Sequence, residues 1–390
     1  MFFIFIFIFI LILFSISLSG AYFFIILKYK SAWRACPEWH VPNNYFPKTK
    51  VTVIVPARNE AKNIIACLQS ISKIEYPKEL LEIIIVDDHS TDGTYQLVID
   101  FIKNKKCFKI IKLADFINNK NIGSYKKKAI ETAISQSSGE LIATTDADCI
   151  VPPAWLPLLV SFYEKYNLKF IAAPVNFHRE KSVFERFQSL DFLGMMGVTA
   201  AGIRLKWMNM CNGANLAYPK SAFLAVDGFA GIDNLASGDD ILLMQKIAAR
   251  FPGKIGFLKN KNAVVRTEAK PSISSFISQR LRWATKSTSY REWKTTFLLA
   301  IVFLYCSAIV FSFFLIPFLG WKAAALFLFL FLIKTIADYI FLREMADYFG
   351  RKDLMKIYLP AQLLHLIYIV VVGFFGNVKK KYAWKGREVR

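Results

Sequence analysis

Apolar residues fall into two kinds of run along this chain. From Phe2 to Leu27 no residue is charged, and three more apolar stretches lie at about 297–319, 322–342 and 357–376. As a helix the first run is roughly 39 Å long, enough to cross a hydrocarbon core of about 30 Å. Its Phe/Ile alternation would suit a strand in water, but a lone strand leaves its backbone unsatisfied in lipid, so a helix is predicted. A cleaved signal peptide is the rival. The run has no basic start and continues past Ser19-Gly20-Ala21 without a clear stop, which favours an anchor.

Between these ends the pattern changes to short β-branched runs. VTVIV (51–55), LEIIIV (81–86), KIIKL (109–113), ELIATT (140–145) and KFIAAPV (169–175) read as buried strands. Roughly residues 60–73 set Ile64, Ile65, Leu68 and Ile71 on one helical face, and 126–137 do the same with Ala129, Ile130, Ala133 and Ile134. Strand–helix–strand repetition with short loops predicts an α/β domain with a Rossmann-like, mainly parallel sheet covered on both faces. Ligands of such sheets bind beyond the carboxyl ends of the strands.

Charge adds the membrane's sidedness. Lys and Arg number 50 against 29 Asp and Glu, a net +21, in a chain that is 55% hydrophobic and only 20% charged. With a mean hydropathy of +0.35, this excess fits a surface on anionic lipid, and no nucleic-acid partner is expected. Lys28, Lys30 and Arg34 follow the first run and place the next section on the cytoplasmic side of the cell (inner) membrane. The tail VKKKYAWKGREVR holds six Lys or Arg against one Glu. Three late crossings would leave it outside, whereas the charge rule asks for an even number, so one stretch is expected to be interfacial or re-entrant. Lys334 and Asp338, four residues apart in the second stretch, form either a self-paired couple or a polar site facing the bundle. The six cysteines are scattered without a CxxC pair, which suggests neither a zinc site nor a disulfide framework.

The strand ends hold the chemistry. The first strand runs into Pro56-Ala57-Arg58-Asn59-Glu60, the second into Asp87-Asp88-His89-Ser90-Thr91-Asp92-Gly93-Thr94, and the fourth into Asp146-Ala147-Asp148. Any one of these could be a turn or a helix cap. Three at one sheet edge point to a ligand site. Two carboxylates one residue apart can hold Mg²⁺ or Mn²⁺ through oxygen and leave positions for diphosphate.

In order, PARNE, VDDHSTDGT, GELIATTDADC, CNGANLAYPK, SGDD and QRLRW resemble the inverting family 2 glycosyltransferases, over about residues 50–290. The resemblance implies a GT-A fold, a nucleotide-sugar donor (a UDP-sugar is the commonest) and a divalent cation. It sets Pro56, Arg58, Glu60 and Asp88 at the nucleoside. Lys126, first of three lysines, would touch the donor, or the run is a solvated basic patch. Asp146 and Asp148 would meet ribose, diphosphate and metal, and Gly213 and Asn215 would lie beneath the transferred sugar. Asp239-Asp240 stand for the family's acidic pair. Asp239 replaces the commoner Glu, and Asp240 would be the general base, a group the chemistry requires because a hydroxyl attacks well only when a carboxylate accepts its proton. Gly-Asp-Asp before ILLMQKIAAR also reads as a helix N-cap. Arg282 and Trp283 would clamp diphosphate or acceptor, and Gln279 would bind the donor. Ile273, Phe276, Ile277, Leu281 and Ala284 give that segment an amphipathic face suited to a membrane surface.

These readings divide the chain into an anchor (1–28), a cytosolic GT-A domain (29–271), an interfacial helix (272–295), a bundle of two or three spans (296–377) and a basic tail (378–390). Transfer of a sugar to a lipid or lipid-linked acceptor is the favoured activity. Trp384-Lys385-Gly386-Arg387 also resembles tails of the non-processive, lipid-glycosylating members. A processive polysaccharide synthase is the enzymatic alternative, and a non-catalytic scaffold that keeps the fold is the other. A nucleotidyltransferase would begin with a Gly-rich phosphate loop, and none follows Val55.

Overall fold

The computed structural model describes every residue except 1, 118–121, 236, 287–288, 291, 379–381, 385–386 and 390, with side chains described at 10 and from 12 to 376 outside those gaps. Lys385 and Gly386, the middle of the tail motif, therefore lie outside the described residues. The first apolar run is helical as expected: α1 spans Phe2–Ala35, eight residues beyond Leu27. Its last turns are anchored on the domain, where Lys259 Nζ donates to the carbonyls of Trp33 (2.9 Å) and Cys36 (3.0 Å).

Strands β1 (Val51–Ala57), β2 (Leu81–Asp87), β3 (Phe108–Lys112) and β4 (Leu141–Thr144) are all parallel, in the spatial order β3-β2-β1-β4. Helices α2 (Ile64–Ser72), α3 (Thr94–Ile102) and α4 (Tyr125–Gln136) make the crossovers. Alternate side chains of β1 enter different layers. Val51, Val53 and Val55 pack with α2, while Ile54 packs with α4. Each such buried Val or Ile contributes about 1.5–3 kcal/mol relative to an exposed one.

After α5 (Trp155–Tyr166) the expected strand at 169–175 divides. β5 (Phe170–Ala172) joins the main sheet, and Ala173-Pro174 break the ladder because proline has no N–H to give. β6 (Val175–His178) begins a separate two-stranded sheet. Next come α6 (Val183–Leu205), β7 (Leu216–Pro219), α7 (Lys220–Leu224), α8 (Ile241–Arg250), β8 (Ile255–Phe257) and β9 (Val265–Glu268). β9 pairs with β6, and β7 enters antiparallel between β4 and β5, completing the order β3-β2-β1-β4-β7-β5-β8.

The remaining helices are α9 (Ile273–Ala284), α10 (Trp293–Phe314), the short α11 (Ile316–Leu319), α12 (Trp321–Tyr348) and α13 (Tyr358–Val378), followed by the hairpin β10 (Tyr382–Trp384) and β11 (Arg387–Val389). Four segments, Ile12–Ala35, Trp293–Phe314, Trp321–Tyr348 and Lys352–Gly376, are long and apolar enough to cross a membrane. Domain and bundle share one core. α6 lies against α12 at Gly194 and Gly197, where an added side-chain carbon would meet Leu342 at 2.8 Å and the Phe341 ring at 2.7 Å. α9 does not lie free: Phe276 is buried among Phe184, Phe187 and Tyr368, which seats the helix between α6 and α13.

Candidate active site

Two loops at the carboxyl ends of β1 and β2 are laced together by side chains. Asn59 and His89 both take positive φ (50° and 54°), turning each strand sharply into its loop. Ser90 Oγ accepts from Asn59 N (3.0 Å), Asn59 Oδ1 accepts from Thr91 N (2.8 Å), and Thr94 Oγ1 accepts from Glu60 N (2.8 Å). Asp92 ties both loops, accepting from Ala61 N at 3.0 Å and Thr94 Oγ1 at 2.5 Å. Much of the DDHSTDGT segment thus builds the rim. Arg58 reaches across it, donating to the Asp88 carbonyl at 2.8 Å with its Nη1 3.8 Å from the Asp88 carboxylate.

Beyond β4, Asp146, Asp148 and Cys149 each offer one ligand atom within 4.8 Å of the others. Both carboxylates are half-buried, and their oxygens suit a hard cation. The Cys149 thiol is a soft ligand, so the two carboxylates are the partners suited to such an ion.

The three lysines separate by role. Lys126 Nζ lies 2.8 Å from Asp146 and 3.0 Å from Asp239, linking the DxD turn to the second acidic pair. Burial alone would lower the Lys126 ammonium, but these two carboxylates raise it. Burial would raise Asp239, but Lys126 pulls it down to about 2, so the pair stays charged at any working pH. Lys127 is buried and donates to the carbonyls of Ile232 (2.5 Å), Leu235 (2.7 Å) and Ser237 (2.9 Å), holding the loop before the acidic pair. Lys128 pairs with Glu131 at 2.8 Å away from the site.

Gly238, at φ +86°, presents the acidic pair; a side-chain carbon there would strike Leu242 at 2.8 Å and be strained besides. Asp240 both caps α8 and faces the cavity. Its Oδ1 accepts from Ile241 N (2.7 Å), and its Oδ2 accepts from Gly213 N (3.2 Å). Lys286 Nζ stands 3.3 Å from Asp240 Oδ1, and Tyr290 lines the wall nearby. Lys286 went unread in the sequence: it lies two residues past the end of α9, in a turn that no periodicity marks.

One expectation needs correction. Asn215 does not line the sugar pocket. It is wholly buried, accepting from Trp155 Nε1 (2.8 Å) and donating to the carbonyls of Pro174 (2.7 Å) and Ala263 (2.8 Å). A buried amide with these bonds pins the end of β5 to α5 and β9 and has no donor left for a substrate. Asn212 and Gly213 face the cavity in its place.

Pro56, Arg58, Glu60, Asp88, Lys126, Asp146, Asp148, Gly213, Asp239, Asp240, Gln279, Arg282 and Trp283 all line one cavity of about 740 Å³. It continues into the bundle, where Ile25 and Ile26 of α1, Leu298 and Val302 of α10 and Val372 of α13 form its wall.

Residues 52–226 match the family described as Glycosyl transferase family 2, and residues 141–342, more than half of the 390-residue chain, match Glycosyl transferase family group 2. The probable glycosyltransferase YdaM of Bacillus subtilis is 26% identical over 64% of this chain and 58% of its own. The undecaprenyl-phosphate 4-deoxy-4-formamido-L-arabinose transferase of Yersinia enterocolitica is 32% identical over 39% of this chain and 44% of its own. The chain spans about half the length of the curated relatives it matches. Among solved structures, the mannosyltransferase PcManGT from Pyrobaculum calidifontis, in complex with GDP-Man and Mn²⁺, superposes with a TM-score of 0.61 at 21% identity, covering 92% of this chain and 99% of that one. The likeness reaches past the sheet into the helices and gives the fold as GT-A. By these matches and the ordered motifs at its strand ends, the chain belongs to glycosyltransferase family 2.

Proposed function

We propose that this protein transfers a sugar, with inversion, from a nucleotide diphosphate to a lipid or lipid-linked acceptor at the cytoplasmic face of a cell membrane. The single observation behind this reading is the continuous cavity, with carboxylates at one end and apolar membrane helices at the other. In it, Pro56, Arg58, Glu60 and Asp88 hold the nucleoside, and Gln279, Arg282 and Trp283 meet the diphosphate or acceptor. Asp240 accepts the proton of the acceptor hydroxyl. That oxygen forms the new bond to the anomeric carbon while the bond to the diphosphate breaks, its electron pair leaving with the nucleotide. Asp239 fixes Lys126 beside Asp146, where the ammonium faces the departing charge. Asp146 and Asp148 fit a single Mg²⁺ or Mn²⁺, which when bound supplies Lewis-acid stabilisation of the diphosphate.

The membrane placement that we infer rests on the charge of the tail. α10 and α12 cross, and α13 lies in the plane of the cytoplasmic interface. Leu359, Leu363, Ile367 and Phe374 give α13 one exposed apolar face, while Gln362, His365 and Tyr368 turn inward. Two late crossings return the basic tail to the cytoplasm, as its charge requires. A cysteine placed in the tail should react with an impermeant maleimide in inside-out vesicles only.

Calorimetry of UDP, GDP and their sugars on detergent-purified protein, with and without Mn²⁺, tests the function. Metal-dependent binding of one nucleotide is expected. No binding by folded protein would leave a scaffold. UDP-sugars are the donors expected from the family resemblance, and GDP-Man is the ligand of PcManGT.

A further inference from the structure

The membrane end of the cavity holds a buried polar network that the transfer chemistry does not use. It has two similar units. Asp191 of α6 accepts from Arg280 Nη2 (2.8 Å) and from the Tyr368 hydroxyl (2.8 Å). Asp338 of α12 accepts from Lys334 Nζ (2.6 Å) and from the Tyr22 hydroxyl (2.6 Å). His365 stands between the units, with Nδ1 3.2 Å from Lys334 Nζ and Nε2 3.8 Å from Asp191. Lysine only donates, so Nδ1 accepts and Nε2 carries the hydrogen.

Three features define what can bind there. Each cation already has its carboxylate, so the cluster carries no net charge, and Lys334 is fully shielded while Arg280 keeps one N–H, at Nε, to spare. The groups on the cavity wall include both carboxylates, Asp191 and Asp338, and the guanidinium of Arg280. A lipid phosphate would add a negative charge beside two carboxylates and one guanidinium that is already paired, in a low dielectric. Capacity for neutral groups remains: each carboxylate has lone pairs to spare, and Gln362 accepts from Lys334 through Oε1 (3.0 Å) while its amide N–H groups have no partner among the described residues. Gln279 Oε1 and Arg280 Nε, on the same wall, are also buried without a partner.

We propose that this network is a binding site for the uncharged, hydroxyl- and ester-bearing headgroup of a neutral lipid, which makes a neutral glycerolipid the acceptor class in place of a polyprenyl phosphate. The inference rests on the lipid-acceptor reading above. The reacting hydroxyl is the one that Asp240 deprotonates; further headgroup hydroxyls donate to Asp191 and Asp338, ester carbonyls accept from Gln362, and the acyl chains leave between α1, α10 and α13.

The test uses full-length protein in nanodiscs with labelled nucleotide sugar, offering a neutral glycosyl diacylglycerol, which carries several hydroxyls, or undecaprenyl phosphate. A further sugar on the glycosyl diacylglycerol with no product on the phosphate is expected. Product on undecaprenyl phosphate alone would overturn this inference and leave the transferase reading standing. Donor bound but neither lipid glycosylated would overturn both this site and the lipid acceptor. Asp338→Asn should raise the lipid KM about tenfold with the donor Kd unchanged, as loss of one charge-assisted hydrogen bond implies. Gln362→Lys, which adds an unpaired cation without removing either unit, should let the phosphate lipid compete; no gain of phosphate binding by a variant that still binds donor would count against the charge argument.

Discussion

The two ends of the cavity use the same side chains for opposite purposes. At the donor end carboxylates cluster: Asp146 and Asp148 face one space, and Asp239 and Asp240 face another, with lysines reaching between them. Its charges are only partly enclosed; the Asp146 side chain is 35% exposed and Lys126 21%. At the membrane end each carboxylate has one cation and one phenol, and Asp191 with Arg280 is only 4–5% exposed. An excess of like charge is tolerable where water and a cation can enter, whereas a buried pair holds only if its partners are complete. The donor end is built to receive charge, the membrane end to exclude it.

Breaking the donor end should cost most. Asp240→Asn removes the proton acceptor but keeps an oxygen for capping α8, so turnover should fall on the order of 10³-fold with donor affinity retained. Near-normal single-turnover rates would reassign the base. Asp148→Ala should cost about 10²-fold in donor affinity and abolish the response to Mn²⁺; an unchanged Mn²⁺ titration would remove it from the metal site. Asn215→Ala separates scaffold from site. It strands Trp155 Nε1 and the carbonyls of Pro174 and Ala263, so it should destabilise by about 3 kcal/mol while leaving the KM of the surviving enzyme alone. A donor KM defect without a fall in thermal midpoint would restore Asn215 to the sugar pocket.

How legible this was in the sequence depended on range. Strands that alternate with helices about every 30 residues announce themselves, because each interior β-branched run must be buried on both faces; β1, β2 and β4 are so buried, whereas β3, expected as a buried strand, lies at the sheet edge with only Ile111 buried. β7 does not announce itself. Leu-Ala-Tyr-Pro is four residues long and antiparallel, and it is held by neighbours far away in sequence. The acidic turns were visible as motifs, yet motif position could not distinguish Gly213, which faces the cavity, from Asn215 two residues later, which faces inward. Lys334 and Asp338 could be paired by helical spacing alone. That His365 and Gln362 of α13 complete the network could not, since nothing in the sequence fixes which faces of α12 and α13 meet.

Salt should give the smallest effect and separate the two ends without any mutation. Mobile ions screen charges in contact with water over about 8 Å at physiological strength and about 3 Å at 1 M. The pairs around Asp146 are open to solvent, and a nucleotide diphosphate arrives there carrying its own charge. Raising salt from 0.1 to 0.5 M should therefore weaken donor binding by about threefold. The Lys334–Asp338 and Arg280–Asp191 pairs lie where ions do not reach, and a neutral headgroup brings no charge to screen, so the lipid KM should not move. An anionic acceptor would respond otherwise, its KM rising with salt alongside the donor's. Parallel salt slopes for donor and lipid would mean that both ends receive charge, and the contrast between them would fail.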